Sequence, residues 1–464
     1  MKVLVVDSSQ VRKADNLIVD RVPEVILKVG EELARIFVTL NPEHDVLVGV
    51  GPGNNGNDGL SFAYNLLKRG FNVKVCEVFP EKSGDLRNQF RSLIPSNRFI
   101  EPRVALERQT CFWFVDAIFG VGQRFPLPER VQEFLMNLQY VKKKIAIDVP
   151  TGICGDTGEV SLPVQWDYTL CVEAIKQGCC IGLGSKLSGK KMVVACGIQF
   201  PEFNFVYESF ELKNIKVCRD PISYKYFYGP VGVIGGSDSM FGAPKFVAEG
   251  ILTSGASFGH IFSTSQFCRH DAFLHHLVPE YRADAFKNRD FVRFKSIVFG
   301  PGVDRMCDDM IEFLRSLEKP VILDAGGLSD KLDFLGKNFL ITPHLGEFLR
   351  MSACSDSNLT QRLKSVQQQL GCSVLLKCNS FIFVGAGFEE NFLVEVNNSK
   401  LSFGGVGDFL AGLIAGFVAQ GLSFRDSSLT AVKLLAHSAS DSNWSLESLM
   451  SNCKSNVKKL FSNF

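Results

Sequence analysis

Four carboxylates stand where strand-like runs give way to glycine-rich or polar turns. Asp58 shares the turn "GVGPGNNGNDGL" (Gly49–Leu60) with Asn54 and Asn55. Asp116 lies in "VDAIFG", Asp148 and Thr151 share "DVPTG", and Asp408 follows three glycines in "LSFGGVGDFLAGLIAG". Side-chain oxygens of Asn, Asp and Thr are ligands for a hard cation. A shell with one carboxylate suits a weakly charged monovalent ion better than calcium. Around Asp408 the chemistry differs. Glycines before a helix make a nest of backbone N–H donors that stabilises charge on a transferring phosphoryl group. A carboxylate at that helix start can take a proton from a substrate hydroxyl.

Each motif has a plainer reading. Gly51, Gly53 and Gly56 give the G-x-G-x-x-G spacing of a dinucleotide fingerprint, and Glu77 falls about where a dehydrogenase would hold the adenosine ribose. A lone fingerprint is equally a tight turn with no ligand. A Walker-type loop is excluded, because no G-K-[ST] follows. Any one aspartate serves as a helix cap or turn residue, although three oxygen-rich loops in one region weigh against that. Asp408 alone is a cap on a glycine-rich buried helix, or the base of a kinase acting on a small alcohol. The density of Gly404, Gly405, Gly407, Gly412 and Gly416 points to close backbone approach, to a ligand or to neighbouring strands. His270, His275 and His276 have helix-like spacing and no partner carboxylate nearby.

The elements that must position these residues read as α/β. "DVLVGV", "FNVKVCEVF", "FWFVDAIFG", "KKIAIDVP" and "YTLCVEAI" are buried parallel strands by pattern, and "LSFAYNLLKRG" is a helix ending at Gly70. The rhythm falters between Phe200 and Ser223. It resumes with "GPVGVIGG", "GHIFST", "SIVFGPG", "PVILDAGG", "FLITPH" and "SVLLKC". Two α/β domains follow, 1–211 and 212–464, each with polar groups at the carboxyl ends of its strands, where open α/β sheets bind ligands. In 464 residues, 50 Lys and Arg oppose 49 Asp and Glu. No electrostatic footprint for nucleic acid or an anionic membrane follows from that balance. The 14 cysteines form no C-x-x-C pair, which favours free thiols in a reducing compartment. No signal peptide or membrane-spanning run is read, so the expectation is a cytoplasmic protein.

"GPGNNGNDGL", "VDAIFGVG" and "DVPTG" resemble the signatures of the NAD(P)H-hydrate epimerase family, across most of residues 1–210. "GPVGVIGGSD", "VFGPGVD", "VILDAGGL", "ITPHLGEFLRM", "VLLKCN" and "GGVGDFLAGLIAG" resemble those of the ADP- or ATP-dependent NAD(P)H-hydrate dehydratases, across about 224–445. The resemblance implies a Rossmann-like epimerase domain followed by a ribokinase-like dehydratase domain, as in the bifunctional NAD(P)H-hydrate repair enzymes. It implies potassium on Asn55, Asp116 and Thr151, and Asp148 as the acid/base at C6 of the hydrated nicotinamide. Hydrated NADH or NADPH would touch Asn54, Asn55, Gly56, Asn57 and Asp58, and also Gly120, Val121, Gly122, Gln123, Arg124, Phe125 and Pro126. In the second domain it implies Asp408 as base, with Ala243, Gly302 and His344 at the substrate. Lys377, Gly404, Gly405 and Gly407 fall at the phosphates of ADP or ATP, with Mg²⁺. A homo-oligomer is implied as well. Departures fall at Asn57, which stands for glycine and would crowd the phosphate loop, and on the nucleotide side at Asp304, Gly326, Cys378, Phe381 and Val406.

Overall fold

The computed structural model describes the chain apart from residues 1, 43–44, 80–83, 108–111, 139, 213–216, 218–219, 221, 288, 330–331, 353–357, 388 and 462–464. It divides into two compact units, Met1–Tyr207 and Glu208–Phe464. Part of the stretch where the α/β rhythm falters, including positions just after residue 212, lies outside the described residues.

In the first unit the strands, in chain order, are β1 (Val3–Val6), β2 (Asp45–Val50), β3 (Asn72–Glu77), β4 (Phe99–Ile100), β5 (Phe112–Ala117), β6 (Val141–Ile147), β7 (Tyr168–Val172), β8 (Ile175–Lys176), β9 (Lys190–Val194) and β10 (Phe205–Tyr207). Seven form a parallel sheet in the order β4-β3-β2-β5-β6-β7-β9. β1 pairs separately with β8 and β10. Val46, Val48 and Val50 point to one face, under the helices Val22–Val38 and Asn54–Lys68; Leu47 points to the other, with Phe114 and the helix Glu129–Met136. Both faces are covered, so the strands read as continuous apolar runs. Strand order reverses between β2 and β5, and the crevice outside their carboxyl ends is the place for a ligand.

The second unit holds β11 (Val231–Ile234), β12 (Gly259–Ser263), β13 (Phe273–Leu277), β14 (Ser296–Phe299), β15 (Val321–Leu323), β16 (Phe339–Ile341), β17 (Ser373–Lys377), β18 (Ser380–Val384) and β19 (Phe392–Glu395). Their order is β13-β12-β11-β14-β15-β16-β17-β18-β19, parallel as far as β17 and antiparallel beyond it. The order reverses between β11 and β14. Helices Ala243–Thr253, Val406–Ala419 and Phe424–Ser440 pack on one core with these strands.

Two expectations change here. His275 and His276 lie in β13, paired in register with β12, and His270 sits 3.3 Å from the Glu249 carboxylate. Gly412 and Gly416 face neither a ligand nor a strand. A Cβ on Gly412 would lie 2.1 Å from the Val247 carbonyl oxygen, and one on Gly250 would lie 2.2 Å from that of Phe409. These glycines let two helices touch backbone to backbone.

Candidate functional site

At the first crevice, β2 runs into the turn Gly51–Gly53 and then the helix Asn54–Lys68, whose start no side chain caps. Gly56 is forced: a Cβ there would meet the Gly51 carbonyl oxygen at 1.9 Å. Asn55 donates from Nδ2 to the Phe119 carbonyl at 2.9 Å, while its buried Oδ1 has no partner among the described residues. Asp116, fully buried, accepts from the Thr151 N–H at 2.7 Å, the Thr151 hydroxyl at 2.9 Å and the Ile118 N–H at 3.0 Å. Thr151 Oγ1 in turn accepts from the Phe119 N–H at 3.2 Å. Asn55, Asp116 and Thr151 thus converge on the single turn around Phe119. Burial pushes the Asp116 carboxyl up to about 6. A cation would offset that burial and complete Asn55 Oδ1, so this oxygen set fits a monovalent ion.

Gly120 lies between Asn55 and Asp148: a Cβ there would be 3.3 Å from Asn55 Cβ and 3.6 Å from Asp148 Oδ2. Asp148 holds a left-handed backbone, φ 69°, and its carboxylate is ion-paired with Lys176. Lys176 is buried and also donates to the carbonyls of Val172 and Ala174 at 3.0 and 3.1 Å. Burial works against its charge, but the Asp148 carboxylate outweighs it and raises the ammonium pKa. Burial, then the charges of Asp148 and Asp15, push the Asp58 carboxyl well up. The Asp58 carboxyl therefore sits within the field of the Asp148–Lys176 pair. Asp15 and Lys176 were not found in the sequence. A lone lysine in the apolar run "VEAIKQGCC" was the available signal, since a buried lysine needs a partner.

The turn Gly120–Pro126 divides. Arg124 and Phe125 are exposed, and Gly122 faces open space. Val121 packs beside Val6, Val11 and Ala174. Gln123 is bound at both ends to the neighbouring loop, donating to the Ile153 carbonyl at 2.7 Å and accepting from the Gly152 N–H at 2.8 Å. Its side chain braces the Asp148–Thr151 loop. Asn54 is exposed, whereas Asn57 is turned inward and 4% exposed, so it does not crowd the outer face of the phosphate loop. Glu77 is taken by Arg87 at 3.1 Å and Arg91 at 3.3 Å.

In the second unit, the switch between β11 and β14 brings Gly302 against Ala243. A Cβ on Gly302, φ 72°, would lie 3.2 Å from that of Ala243. Asp324 follows β15 and Lys377 ends β17. The Lys377 ammonium donates to Asp324 Oδ1 at 2.6 Å, and Thr342 Oγ1 donates to the same oxygen at 2.9 Å. Gly407 lies before this pair, its Cβ position 3.3 Å from Lys377 Nζ and 3.8 Å from Asp324 Oδ2. Gly405 adopts φ 90° at the helix start and touches Phe246, while Gly404 faces open space. Asp408 occupies the first helical turn. Burial first, then the Asp324 charge, push its carboxyl up to about 7, with Lys377 opposing. That suits a general base near neutral pH. His344 caps the helix Leu345–Met351: Nδ1 accepts from the N–H groups of Gly346 and Glu347 at 3.0 and 3.2 Å. Its Nε2 lies 3.5 Å from Glu347 Oε1.

The departures are coupled in space. A Cβ on Gly326 would lie 2.0 Å from the Val303 carbonyl oxygen, so the loop carrying Asp304 fills the room that a side chain at 326 would need. Phe381 and Val406 join the core, and the Cys378 thiol, pushed up to about 11 by burial, donates to the Ser380 carbonyl. The 11 described cysteines are thiols, and no described helix is long and apolar enough to cross a membrane.

An open α/β sheet with an oxygen-rich cluster beside the Asp148–Lys176 pair, and a second with a glycine-rich helix start beside Asp408, Lys377 and Asp324, define a two-domain α/β protein with a polar cluster at each switch point. Comparison with known proteins narrows this. Residues 231–459 match the family described as NAD(P)H-hydrate dehydratase, and residues 24–178 match the YjeF-related protein N-terminus. The bifunctional NAD(P)H-hydrate repair enzyme of Methanopyrus kandleri is 28% identical over 421 residues, covering 84% of this chain and 82% of that one. That of Escherichia coli is 24% identical over 440 residues, covering 87% and 82%. The ADP/ATP-dependent NAD(P)H-hydrate dehydratase from Bacillus subtilis superposes with a TM-score of 0.48 at 24% identity, over 54% of this chain and 96% of that one. The chain belongs to the bifunctional NAD(P)H-hydrate repair enzymes, with an epimerase and a dehydratase domain.

Proposed function

We propose that the first unit interconverts the R and S hydrates of NADH or NADPH, and that the second dehydrates the S form at the expense of ADP. The observation that carries the second half is the half-buried Asp408, its carboxyl pushed up to about 7 within the field of the Lys377–Asp324 pair. Hydroxide is a poor leaving group. Asp408 takes the proton of the C6 hydroxyl as its oxygen attacks the terminal phosphorus of ADP, and the bond to AMP breaks. The phosphate ester at C6 then leaves as phosphate, and loss of the C5 proton restores the C5–C6 double bond. N–H groups at Gly404, Gly405 and Gly407 face the transferring group, with Lys377 beside them. Magnesium would neutralise the nucleotide phosphates.

In the first unit Asn55, Asp116 and Thr151 would hold potassium, which would supply fixed positive charge to the site. Asp148, ion-paired with Lys176, acts as acid/base at the C6 hydroxyl as its C–O bond breaks and re-forms on the other face of the ring. Residues 54–58 and 120–126 would border that crevice, with Asn57 and Val121 turned into the packing behind it. A homo-oligomer in the cytoplasm belongs to the same reading.

The test is recovery of reduced-nicotinamide absorbance from a mixture of R and S NADH hydrate with ADP, Mg²⁺ and potassium, and with ATP in parallel. Full recovery, abolished by Asp408→Asn, is expected. Recovery that stops at the S fraction removes the epimerase half. Phosphate retained on the organic product indicates a small-molecule kinase instead.

A further inference from the structure

We propose that Arg87 and the uncapped start of the helix Asn54–Lys68 form an anion subsite that takes a phosphate group of the dinucleotide substrate. The inference rests on reading the first unit as a hydrated-dinucleotide site. Arg87 lies on the helix Asp85–Ser92 with its side chain 10% exposed. Its Nη2 donates to Glu77 Oε1 at 3.1 Å, but the buried Nη1 has no hydrogen-bond partner among the described residues. That nitrogen lies against the glycine loop, 3.1 Å from where a Cβ on Gly56 would stand. A buried guanidinium N–H without an acceptor is costly, and a ligand oxygen repairs it. The helix start adds its own N–H donors and positive dipole end at the same place.

Charge points the same way. Glu77, at the end of β3, is shared by Arg87 and by the half-exposed Arg91, whose Nε lies 3.3 Å from Oε2. Two guanidiniums against one carboxylate leave a net positive charge. This strand end is where a dinucleotide-binding sheet places the adenosine ribose, and where an arginine accommodates a 2′-phosphate. Arginine also presents a planar fork matched to phosphate oxygens. The phosphate could come from the 2′ position or from the pyrophosphate, and the two NAD(P)H hydrates separate these sources.

Epimerisation kinetics on NADPH hydrate and on NADH hydrate, with wild type, Arg87→Gln and Arg87→Lys, test it. Calorimetric binding of 2′,5′-ADP is measured alongside. Arg87→Gln should raise KM for NADPH hydrate by about ten- to a hundredfold with kcat little changed, and Arg87→Lys should recover part of the loss. A rise confined to NADPH hydrate, with loss of 2′,5′-ADP binding, identifies the 2′-phosphate. An equal rise for both hydrates, partly restored by lysine, identifies the pyrophosphate. Unchanged KM for both, or a fall in kcat with a lowered melting temperature that lysine does not repair, overturns the subsite. A wild type that epimerises neither hydrate yet binds 2′,5′-ADP in an Arg87-dependent way retains the subsite and removes the epimerase reading.

Discussion

Asp408→Asn should abolish dehydration and, at the same time, stabilise the second unit. The folded protein holds this carboxyl near 7, against an ordinary value of 3.8. Below pH 3.8 both folded and unfolded chains are protonated here, so the group has no effect on stability. Between 3.8 and 7 the unfolded chain has lost the proton and the folded chain keeps it. Stability therefore falls with rising pH by about 1.4 kcal/mol per pH unit. Above pH 7 the whole difference is felt, about 4 kcal/mol at most, and about 2–4 kcal/mol once local relaxation is allowed. Asparagine keeps the shape and removes the charge. At pH 8 it should raise the melting temperature of the second unit by about 5–12 °C, with little effect at pH 4. Scanning calorimetry of the full chain at both pH values reads this, the transition of interest being the one that ADP shifts. An asparagine variant no more stable at pH 8 than wild type, or one stabilised equally at pH 4, refutes the claim that buried charge sets the basicity of Asp408.

Other perturbations separate the two halves of the chain. Lys176→Met strands the Asp148 carboxylate in a buried site and should destabilise the first unit by about 3–5 kcal/mol. Adding Asp148→Asn should restore much of that stability in urea melts while epimerisation stays absent. Replacing potassium with lithium should halt recovery of reduced nicotinamide at the S fraction and leave dehydration itself unchanged. Gly412→Ala places a methyl 2.1 Å from the Val247 carbonyl. Prying the two helices apart should destabilise the second unit by about 1–3 kcal/mol, read as a lower melting temperature.

Sequence reasoning reached the sheets because their strands are covered on both faces and so announce themselves as apolar runs. "DVLVGV" coincides with β2 to the residue, and "SVLLKC" contains β17. It failed at β13, where "FLHHL" carries two histidines on an edge strand and shows no apolar run. That oxygen-bearing side chains gather at these strand ends was legible from residue type and turn position, and the grouping of Asn55, Asp116 and Thr151 from the family resemblance. The orphaned Asn55 Oδ1 was not, because a side-chain rotamer leaves no mark on residue spacing. Lys176 and Arg87 were missed for a related reason. Each owes its interest to a partner, present or missing, far away in the chain. Gly412 was noticed for its composition but assigned to the wrong neighbour, since close approach to a helix and to a ligand demand the same missing Cβ.

The bond between Lys377 and Asp324 has a consequence for the resting enzyme. With one ammonium proton already held by a carboxylate, the second site carries its own counter-charge before a nucleotide arrives. On the proposed reading, an incoming phosphate would compete with that carboxylate for Lys377, and the competition would lower the affinity gained from the lysine. Stray anions gain little from such a swap. A polyphosphate that also fills the glycine nest gains more. On the proposed reading, a phosphate that draws Lys377 away from Asp324 would leave that carboxylate's charge acting on Asp408 and strengthen it as a base.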